Sequence, residues 1–289
     1  MDAFLHQLLS GLAMGAIYAS IAVALVMIYK ATHHVNFAQG ELAMFATYMA
    51  WILIQKNVPY WATFLITMTF AFFIGAVIER VIMRWVHDAP VLTSVAIFIG
   101  LLILINALAG LFFEYQIKPF PTPFPDSALR SRFLSAHETG MIGVVLIVLV
   151  LVYLFFRYTK LGLAMRASAE NPQSSKLVGV RVGQMLALGW GLAAALGSVA
   201  GMMAAPVVYL EPNFMAGILN YGFASALLGG IDNPWGAPLG GFIVGVLVNL
   251  AGAYVVGTHL QQAVALVIVI TVLAFKPGGL FGKTVVVRV

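Results

Sequence analysis

Apolar residues occur in long, unbroken runs along nearly the whole 289-residue chain, without the apolar–polar alternation of a β-strand. A helix needs about 20 residues to cross the hydrocarbon core of a bilayer, whereas the strands of a membrane barrel alternate. The pattern therefore predicts an all-α, polytopic helical membrane protein. The long uncharged runs that we expect to span the membrane are 7–29, 60–78, 91–113, 140–156, 185–209, 235–258 and 260–275.

Two shorter apolar runs, 42–55 and 216–231, are rich in glycine, alanine or small polar residues. Membrane transporters often contain short, discontinuous helices in two internal halves. The polar stretches that precede these runs, 36–41 and 213–220, are typical of backbone that faces a cavity rather than lipid. Counting the short runs, we expect about eight to nine transmembrane segments, two of them short and discontinuous.

Glycines recur at helical spacing on two of the later runs. Small residues at such spacing let helix backbones approach closely where hydrophobicity cannot drive association. The sequence therefore predicts tight helix contacts along both runs, whose glycines are Gly189, Gly191, Gly197 and Gly201 on the first and Gly236, Gly240, Gly241 and Gly245 on the second.

The composition agrees with a membrane location. Hydrophobic residues make up 62% of the chain and charged residues 9%, whereas a soluble domain carries about 25% charged residues. Most of the outer surface must therefore face lipid. The net charge of +5 is explained by basic cytoplasmic loops, so we expect no nucleic-acid partner.

Several kinds of chemistry are unsupported by the sequence. Cysteine is absent, which excludes a thiolate metal site and a cysteine nucleophile. The six histidines lie at segment ends without paired metal-ligand spacing. The chain contains no GxxxxGKS or GxxxxGKT phosphate-binding loop. We therefore expect no catalytic residue, no metal site and no cofactor in this chain.

Lysine and arginine residues predict the orientation, because cytoplasmic loops are enriched in them. The segment 157–184, the loop near Arg80 and the C-terminal tail are basic, and we assign all three to the cytoplasm. The loop 114–138 is then periplasmic, and its proline-rich stretch 119–125 should be extended. The N-terminus is outside and the C-terminus cytoplasmic, with residues 1–289 forming a single transmembrane domain.

Polar residues at the two short runs are candidates for a transport path. Asn36, Gln39 and Glu41 precede or begin the first short run, and Asn220 lies in the second. One interpretation is that these four residues line a translocation path or gate. The alternative is that Glu41 caps a helix and that the amides bond to neighbouring helices.

The segment 161–184 is too polar to span the membrane and too long for a tight turn. Asn171 is a predicted N-cap for a helical turn that begins at Pro172, and Gly179 is predicted to end that turn. We expect a short amphipathic helix parallel to the membrane. It either lies on anionic lipid or docks a cytosolic partner.

Four motifs, in the same order, carry a resemblance to a known family. VNFAQGE at 35–41 resembles INFAHGE, and TKLGLAMRASAENPQSSKLVGV at 159–180 resembles a cytoplasmic coupling loop. GGIDNPWGAPLGG at 229–241 resembles GGxGSxxGAxxGG, and KPGGLFG at 276–282 resembles RPxGLFG. Through most of its length the chain resembles the LivH-type permease subunits of branched-chain amino acid ABC importers.

The resemblance implies the permease subunit of an ATP-driven importer in the bacterial inner (plasma) membrane, taking up branched-chain or other hydrophobic amino acids by alternating access. The implied partners are a second, LivM-type permease, two cytosolic ATPase subunits that bind ATP and Mg²⁺, a periplasmic substrate-binding protein and membrane lipid. The chain itself would be a transporter subunit and not an enzyme. The segment 157–184 would be the coupling loop, with ATPase contacts from Arg166, Glu170, Asn171, Lys176 and Gly179.

The sequence departs from the family pattern at three places. Gln173-Ser174-Ser175 replaces the EAA of the usual EAAxxxG coupling loop, Gln39 replaces a common histidine, and Val248 replaces a glutamate found in many members. These departures leave the class intact and the substrate open. Relatives carry urea, short amides or aromatic carboxylates, and these remain alternative substrates.

Two other classes of protein are alternatives. A secondary transporter driven by ion gradients would need ionisable residues well inside its spans, and here only Glu41 and Asp232 are candidates. A membrane assembly protein without transport activity would not need the polar segment 161–184. We therefore expect an importer permease.

Overall fold

The structure is a computed structural model that describes residues 2–32, 34–86, 89–125 and 132–282. Throughout these ranges the regular structure is helical, and an isolated antiparallel bridge joins Lys118 to Leu210. The prediction of an all-α fold is confirmed.

The helices follow the predicted runs closely. In chain order they are α1 Asp2–Thr32, α2 Gln39–Gln55, α3 Tyr60–Val81, α4 Val91–Phe113, α5 Ala136–Tyr158, α6 Lys160–Glu170, α7 Pro172–Leu177, α8 Val182–Val208, α9 Phe214–Gly229, α10 Gly236–Ala251 and α11 Gln261–Phe275. Short 3₁₀ turns occupy Met83–Trp85 and Thr258–Leu260, and a π-helical turn, Gly252–Val256, continues α10.

Among the described residues, seven helical segments are long and apolar enough to cross a membrane. Each of them overlaps one of the seven long runs expected from the sequence, while α2 and α9 are the shorter helices of 17 and 16 residues. The protein is therefore a multi-pass membrane protein with seven long apolar helices and a shorter apolar helix, α9, within the described ranges. That both short segments belong to the membrane spans stays a prediction.

Contacts divide the chain into two compact units. Unit 1 comprises Met1–Val26, Pro121–Val145 and Ala216–Val289. Unit 2 comprises Met27–Phe120 and Leu146–Met215. The prediction of a single transmembrane domain stays a prediction.

In unit 1, α1 and α10 pack in antiparallel directions through small residues. Gly11 lies against Val246, and Gly15 lies against Phe242. A Cβ added to Gly245 would be 2.4 Å from the Cα of Gly15, so the two backbones are in direct contact. Glycines on α10 therefore bring these helices together, as their spacing predicted.

In unit 2, α3 and α8 form an antiparallel pair. The Tyr60 hydroxyl donates a hydrogen bond to the Met202 carbonyl at 3.3 Å. At the other end of the pair, a Cβ added to Gly75 would be 2.6 Å from the carbonyl oxygen of Trp190. The helix axes can approach this closely because Gly75 has no side chain.

Helix α2 lies parallel to α8 and begins partway along it. Gln39 contacts Ala193, and two turns later Thr47 contacts Gly201. Because α8 begins at Val182 and rises about 1.5 Å per residue, α2 begins about 16 Å along α8. The first turn of α2 is thus placed inside the helix bundle of unit 2 rather than at its end.

The proline-rich segment after α4 is not helical, as predicted. Lys118 exchanges backbone hydrogen bonds with Leu210, of 2.9 and 3.3 Å. The Lys118 ammonium also lies 5.1 Å from the centre of the Trp51 ring. These contacts fix residues 114–120 to other parts of unit 2. The periplasmic position of the segment stays a prediction.

Candidate translocation and coupling sites

The residues that lead into α2 are buried and joined by their side-chain amides. Asn36 and Gln39 are fully buried, and Glu41 is 5% exposed. The Asn36 side chain accepts a hydrogen bond from the Ala38 N–H at 3.0 Å and donates one to Gln39 Oε1 at 3.3 Å. Gln39 Nε2 in turn donates to the Ala193 carbonyl at 2.9 Å. The side-chain amides of Asn36 and Gln39 therefore hold the backbone turn before α2 by hydrogen bonds inside the protein.

Glu41 belongs to a polar cluster centred on Asn106, a residue of α4. Asn106 Nδ2 lies 3.2 Å from Glu41 Oε2, 3.1 Å from the Pro212 carbonyl and 3.1 Å from Asn213 Oδ1. The Tyr115 hydroxyl donates to Asn106 Oδ1 at 3.0 Å. We call these five residues the Asn106 cluster. All of them belong to unit 2.

The capping alternative for Glu41 is wrong. The N-cap of α2 is Ala38, and no side chain caps that end. Glu41 lies in the first turn, where the helix dipole favours a negative charge. Its side chain bonds to Asn106 instead of to the backbone N–H groups of the turn.

Asn220 belongs to unit 1, whereas the other three candidate residues of the path belong to unit 2. Its exposed side chain borders a cavity of about 220 Å³ that Tyr221 and Gln262 also line. The structure therefore brings Asn36, Gln39 and Glu41 together and places Asn220 in another unit. That the four line one translocation path stays a prediction.

Four members of the cluster are not among the path residues predicted from the sequence: Asn106, Tyr115, Pro212 and Asn213. Asn213 opens the polar stretch before the second short run, and Asn106 is the amide inside an otherwise apolar span. Those two features are the indications of this site that the sequence contains. Nothing in the sequence pairs either residue with Glu41, which is 65 positions from Asn106.

The segment between α5 and α8 forms two short helices, as its local sequence predicted. The Thr159 hydroxyl accepts from the Gly162 N–H at 2.9 Å and caps α6. Asn171 Oδ1 accepts from the Ser174 N–H at 2.9 Å and caps α7, with Pro172 as the first helical residue. The predicted N-cap and helix start are confirmed.

Gly179 ends the helix pair with a φ of +86°. No heavy atom lies within 4 Å of the position that a Cβ would take there. Glycine is therefore favoured at position 179 because the backbone is left-handed there, and not because neighbouring atoms would clash with a side chain.

The five residues predicted to contact the ATPase are all exposed on or beside these helices: Arg166, Glu170, Asn171, Lys176 and Gly179. Two apolar side chains beside them, Leu177 and Val178, are 89% and 80% exposed. On the opposite side Met165 is buried and faces Gly189 of α8. The helix pair therefore has one side packed on the bundle and one side available for a further contact.

A wide groove of about 690 Å³ connects this segment to the end of α3. The groove is lined by Arg80 and Arg84 from the α3 side and by Lys176 and Arg181 from the α7 side. This places the Arg80 loop and the segment 157–184 on the same face of unit 2, as their basic character predicted. Assignment of that face to the cytoplasm stays a prediction.

Comparison with known proteins identifies the family. A family model described as "branched-chain amino acid transport system / permease component" matches residues 7–273. The chain belongs to this family. The high-affinity branched-chain amino acid transport permease LivH of Salmonella typhimurium is 32% identical over 304 residues, covering 99% of this chain and 98% of LivH. The permease BraD of Pseudomonas aeruginosa is 32% identical over 308 residues, with the same coverage.

More distant proteins also match. The probable permease LivH of Methanocaldococcus jannaschii is 26% identical over 288 residues, covering 91% of this chain and 87% of its own. The solved structure of PsaBC from Streptococcus pneumoniae in complex with a Fab covers 93% of this chain at 13% identity and a TM-score of 0.46.

The chain is thus a LivH-type permease, a transport subunit rather than an enzyme. This confirms the family resemblance found in its four motifs. In this permease Gln39, which replaces a common histidine, is hydrogen-bonded to the Ala193 carbonyl, and Val248 is buried on α10. Within the ranges that the structure describes, no three His, Cys, Asp or Glu side chains are grouped to hold a metal ion.

Proposed function

We propose that the chain is the membrane-spanning subunit of an ATP-driven ABC importer that takes up branched-chain or other hydrophobic amino acids by alternating access. The observation that carries the proposal is end-to-end similarity to permeases named for branched-chain amino acid transport, at 32% identity over 99% of this chain. The similarity extends through the spans, the exposed α6–α7 pair and the residues that precede α2.

Energy for transport must enter the permease through a protein contact. The chain has no phosphate-binding loop, so ATP and Mg²⁺ are bound by two cytosolic ATPase subunits. A transmitting contact must be exposed, ordered and joined to the spans. Helix α6 follows α5 after the single residue Thr159, and α8 begins at Val182 shortly after Gly179. A displacement of the α6–α7 pair would therefore pass directly to two spans.

Exposed side chains on the pair support a protein partner. Leu177 and Val178 present apolar surface at the tip of α7, between the charged residues Lys176 and Arg181. Interfaces combine an apolar centre with a polar rim. We propose that Arg166, Glu170, Asn171, Lys176 and Gly179 surround this tip in the contact with the ATPase.

Membership of the permease family also supports the remaining subunits of the proposed importer. A LivM-type permease would complete the membrane domain, and a periplasmic binding protein would deliver the substrate. In this arrangement the translocation path includes Asn36, Gln39 and Glu41, whose buried amides and carboxylate supply polar groups inside the apolar bundle. Asn220, beside its cavity in unit 1, is the corresponding candidate on the second short helix.

Uptake by the reconstituted complex tests the proposal. The chain is co-expressed with a second permease, two ATPases and a binding protein of the same importer, and the complex is placed in proteoliposomes. We expect accumulation of radiolabelled leucine that requires ATP on the ATPase side and is inhibited by isoleucine and valine. Inhibition by urea, acetamide or benzoate instead would favour the alternative substrates. Uptake driven by an ion gradient without ATP would contradict the proposal.

A further inference from the structure

We propose that the Asn106 cluster is a binding site for a primary ammonium group, and that the Asn106 amide occupies the position of this group before the ligand binds. The proposal rests on the proposed function, since the ligand would be the α-ammonium group of the transported amino acid. It assigns a chemical role to Glu41 and adds Asn106, Tyr115, Pro212 and Asn213 to the site.

The numbers of donors and acceptors favour a ligand with three N–H groups. Three oxygens, from Glu41, Pro212 and Asn213, lie 3.1–3.2 Å from the single nitrogen Asn106 Nδ2. A side-chain amide nitrogen carries two hydrogens, so Asn106 can donate to only two of the three oxygens at any moment. An ammonium nitrogen at this position has three hydrogens and satisfies all three oxygens.

Charge also favours an ammonium group. Glu41 is 5% exposed, and its hydrogen-bond partner is the neutral amide of Asn106. Within the described ranges no lysine or arginine forms an ion pair with Glu41 or with Glu211, the residue before Pro212. A buried carboxylate without a counter-charge is costly, and such groups inside membrane proteins mark functional sites. A bound ammonium would supply the missing positive charge.

An unpartnered hydroxyl on the same face of α2 as Glu41 is a second, independent observation. Tyr48 is fully buried, and its hydroxyl has no hydrogen-bond partner. Tyr48 lies seven residues after Glu41, on the same face of α2. Its ring stacks on Phe113 at 4.3 Å. A buried hydroxyl normally finds a partner, and this one is unpartnered about two helical turns after Glu41.

The distances distinguish an ammonium group from a metal ion. Hydrogen bonds from N–H to oxygen have N···O distances of about 2.7–3.2 Å, which the cluster matches. A Ca²⁺ ion requires about six to eight oxygens at about 2.3–2.6 Å, more and closer than this cluster offers. Three oxygens at these distances therefore fit a nitrogen better than a Ca²⁺ ion.

The cluster is open on one side. Tyr115 is 59% exposed and Asn213 is exposed, whereas Glu41 and Pro212 are buried. A ligand can approach past Tyr115 and Asn213 and place its ammonium group against Glu41. Binding requires Asn106 to turn away, which breaks its bond to the exposed Tyr115 hydroxyl. Tyr115 therefore holds Asn106 in the position that the ligand must take.

The test uses the absence of cysteine in this chain. A Gln116→Cys variant places a thiol on an exposed residue beside Tyr115. The permease complex, in nanodiscs and without binding protein, is alkylated with a maleimide in the presence of candidate ligands. We expect leucine and 3-methylbutylamine, which carry an ammonium group, to slow alkylation, and 4-methylpentanoate, which lacks one, to have no effect.

Two variants in the Gln116→Cys background sharpen the test. Glu41→Gln keeps the shape and removes the charge, and we expect half-maximal protection by 3-methylbutylamine to need about 10- to 100-fold more ligand. Tyr115→Phe removes the bond that holds Asn106, and we expect about two- to tenfold tighter binding. A structural role alone would predict no gain from Tyr115→Phe.

Several outcomes would overturn the inference: equal protection by 4-methylpentanoate, equal protection by Na⁺, unchanged protection in Glu41→Gln, or no protection by any amine. ATP-driven leucine uptake by the complete importer is measured in parallel. Leucine uptake without protection would refute the ammonium site and leave the proposed function standing. Amine protection without leucine uptake would retain the site and refute the proposed substrate.

Discussion

Gln39 donates a 2.9 Å hydrogen bond to the backbone carbonyl of Ala193, a residue 154 positions away in the middle of α8. The same side chain accepts a hydrogen bond from Asn36 at 3.3 Å. One amide therefore connects the turn before α2 to the centre of a long span. We therefore expect this contact to help hold α2 in its position inside unit 2.

Replacing Gln39 by leucine should destabilise the protein. Asn36 and the Ala193 carbonyl would each lose a partner in a fully buried environment, which costs about 1–3 kcal/mol. The free energy of unfolding of the purified variant in mixed micelles measures the loss. The matched control is Gln262→Leu, at an exposed glutamine on α11, expected to change stability by less than about 0.5 kcal/mol. Equal stability of the two variants would mean that the Gln39 contacts do not hold α2.

Adding one methyl group to Gly75 should separate α3 from α8. Its Cβ would be 2.6 Å from the Trp190 carbonyl oxygen and 2.8 Å from the Ala194 Cβ, so the backbones must move. We expect Gly75→Ala to lower the free energy of unfolding by about 1–3 kcal/mol. Gly100→Ala on α4, where a Cβ meets open space, should be neutral or stabilising by about 1 kcal/mol. Tolerance of Gly75→Ala would contradict the α3–α8 packing.

Opposite faces of the membrane should be labelled by cysteines at Gln116 and Gln173. Both positions are exposed, and the chain has no other cysteine. The basic groove that contains Arg80, Lys176 and Arg181 predicts a cytoplasmic position for Gln173. In spheroplasts, a membrane-impermeant maleimide should modify Gln116→Cys and spare Gln173→Cys. Modification of both from the same side would refute the orientation.

Local features of the fold could be predicted from the sequence because neighbouring residues determine them. The run 91–113 is the helix Val91–Phe113. Asn171, Pro172 and Gly179 act at the ends of α7 in the predicted roles, since a cap or a left-handed turn involves residues only a few positions apart. For the same reason the proline-rich segment after α4 was correctly predicted not to be helical.

Contacts between distant residues could not be predicted in this way. Glu41 was a plausible cap from its position near a helix start, but Asn106, 65 residues away, binds its side chain. The approach of Asn213 to Asn106 spans 107 residues. The depth at which α2 begins depends on α8, and no local pattern encodes it. The sequence indicates which polar residues are candidates for a site, but not which of them are in contact.

The contact between the permease and its ATPases is the central claim of the proposed function, and Gly179 allows it to be tested. A β-branched residue at a φ of +86° is strained by about 1–3 kcal/mol, so Gly179→Val should alter the tip of the α6–α7 pair. Gly183→Val is the matched control, because a Cβ there also meets open space while its backbone is helical.

The ratio of leucine transported to ATP hydrolysed, measured for both variants in proteoliposomes of the complete importer, is the most direct test. We predict that the Gly179→Val protein remains in the membrane but that either this ratio or its affinity for the ATPases falls by about tenfold. The Gly183→Val protein should match the unsubstituted protein in both. If the α6–α7 pair only lies on lipid, Gly179→Val is tolerated and neutralising Arg166 and Lys176 is harmful instead. An unchanged ratio in Gly179→Val would contradict the claim that this helix pair transmits the work of ATP hydrolysis.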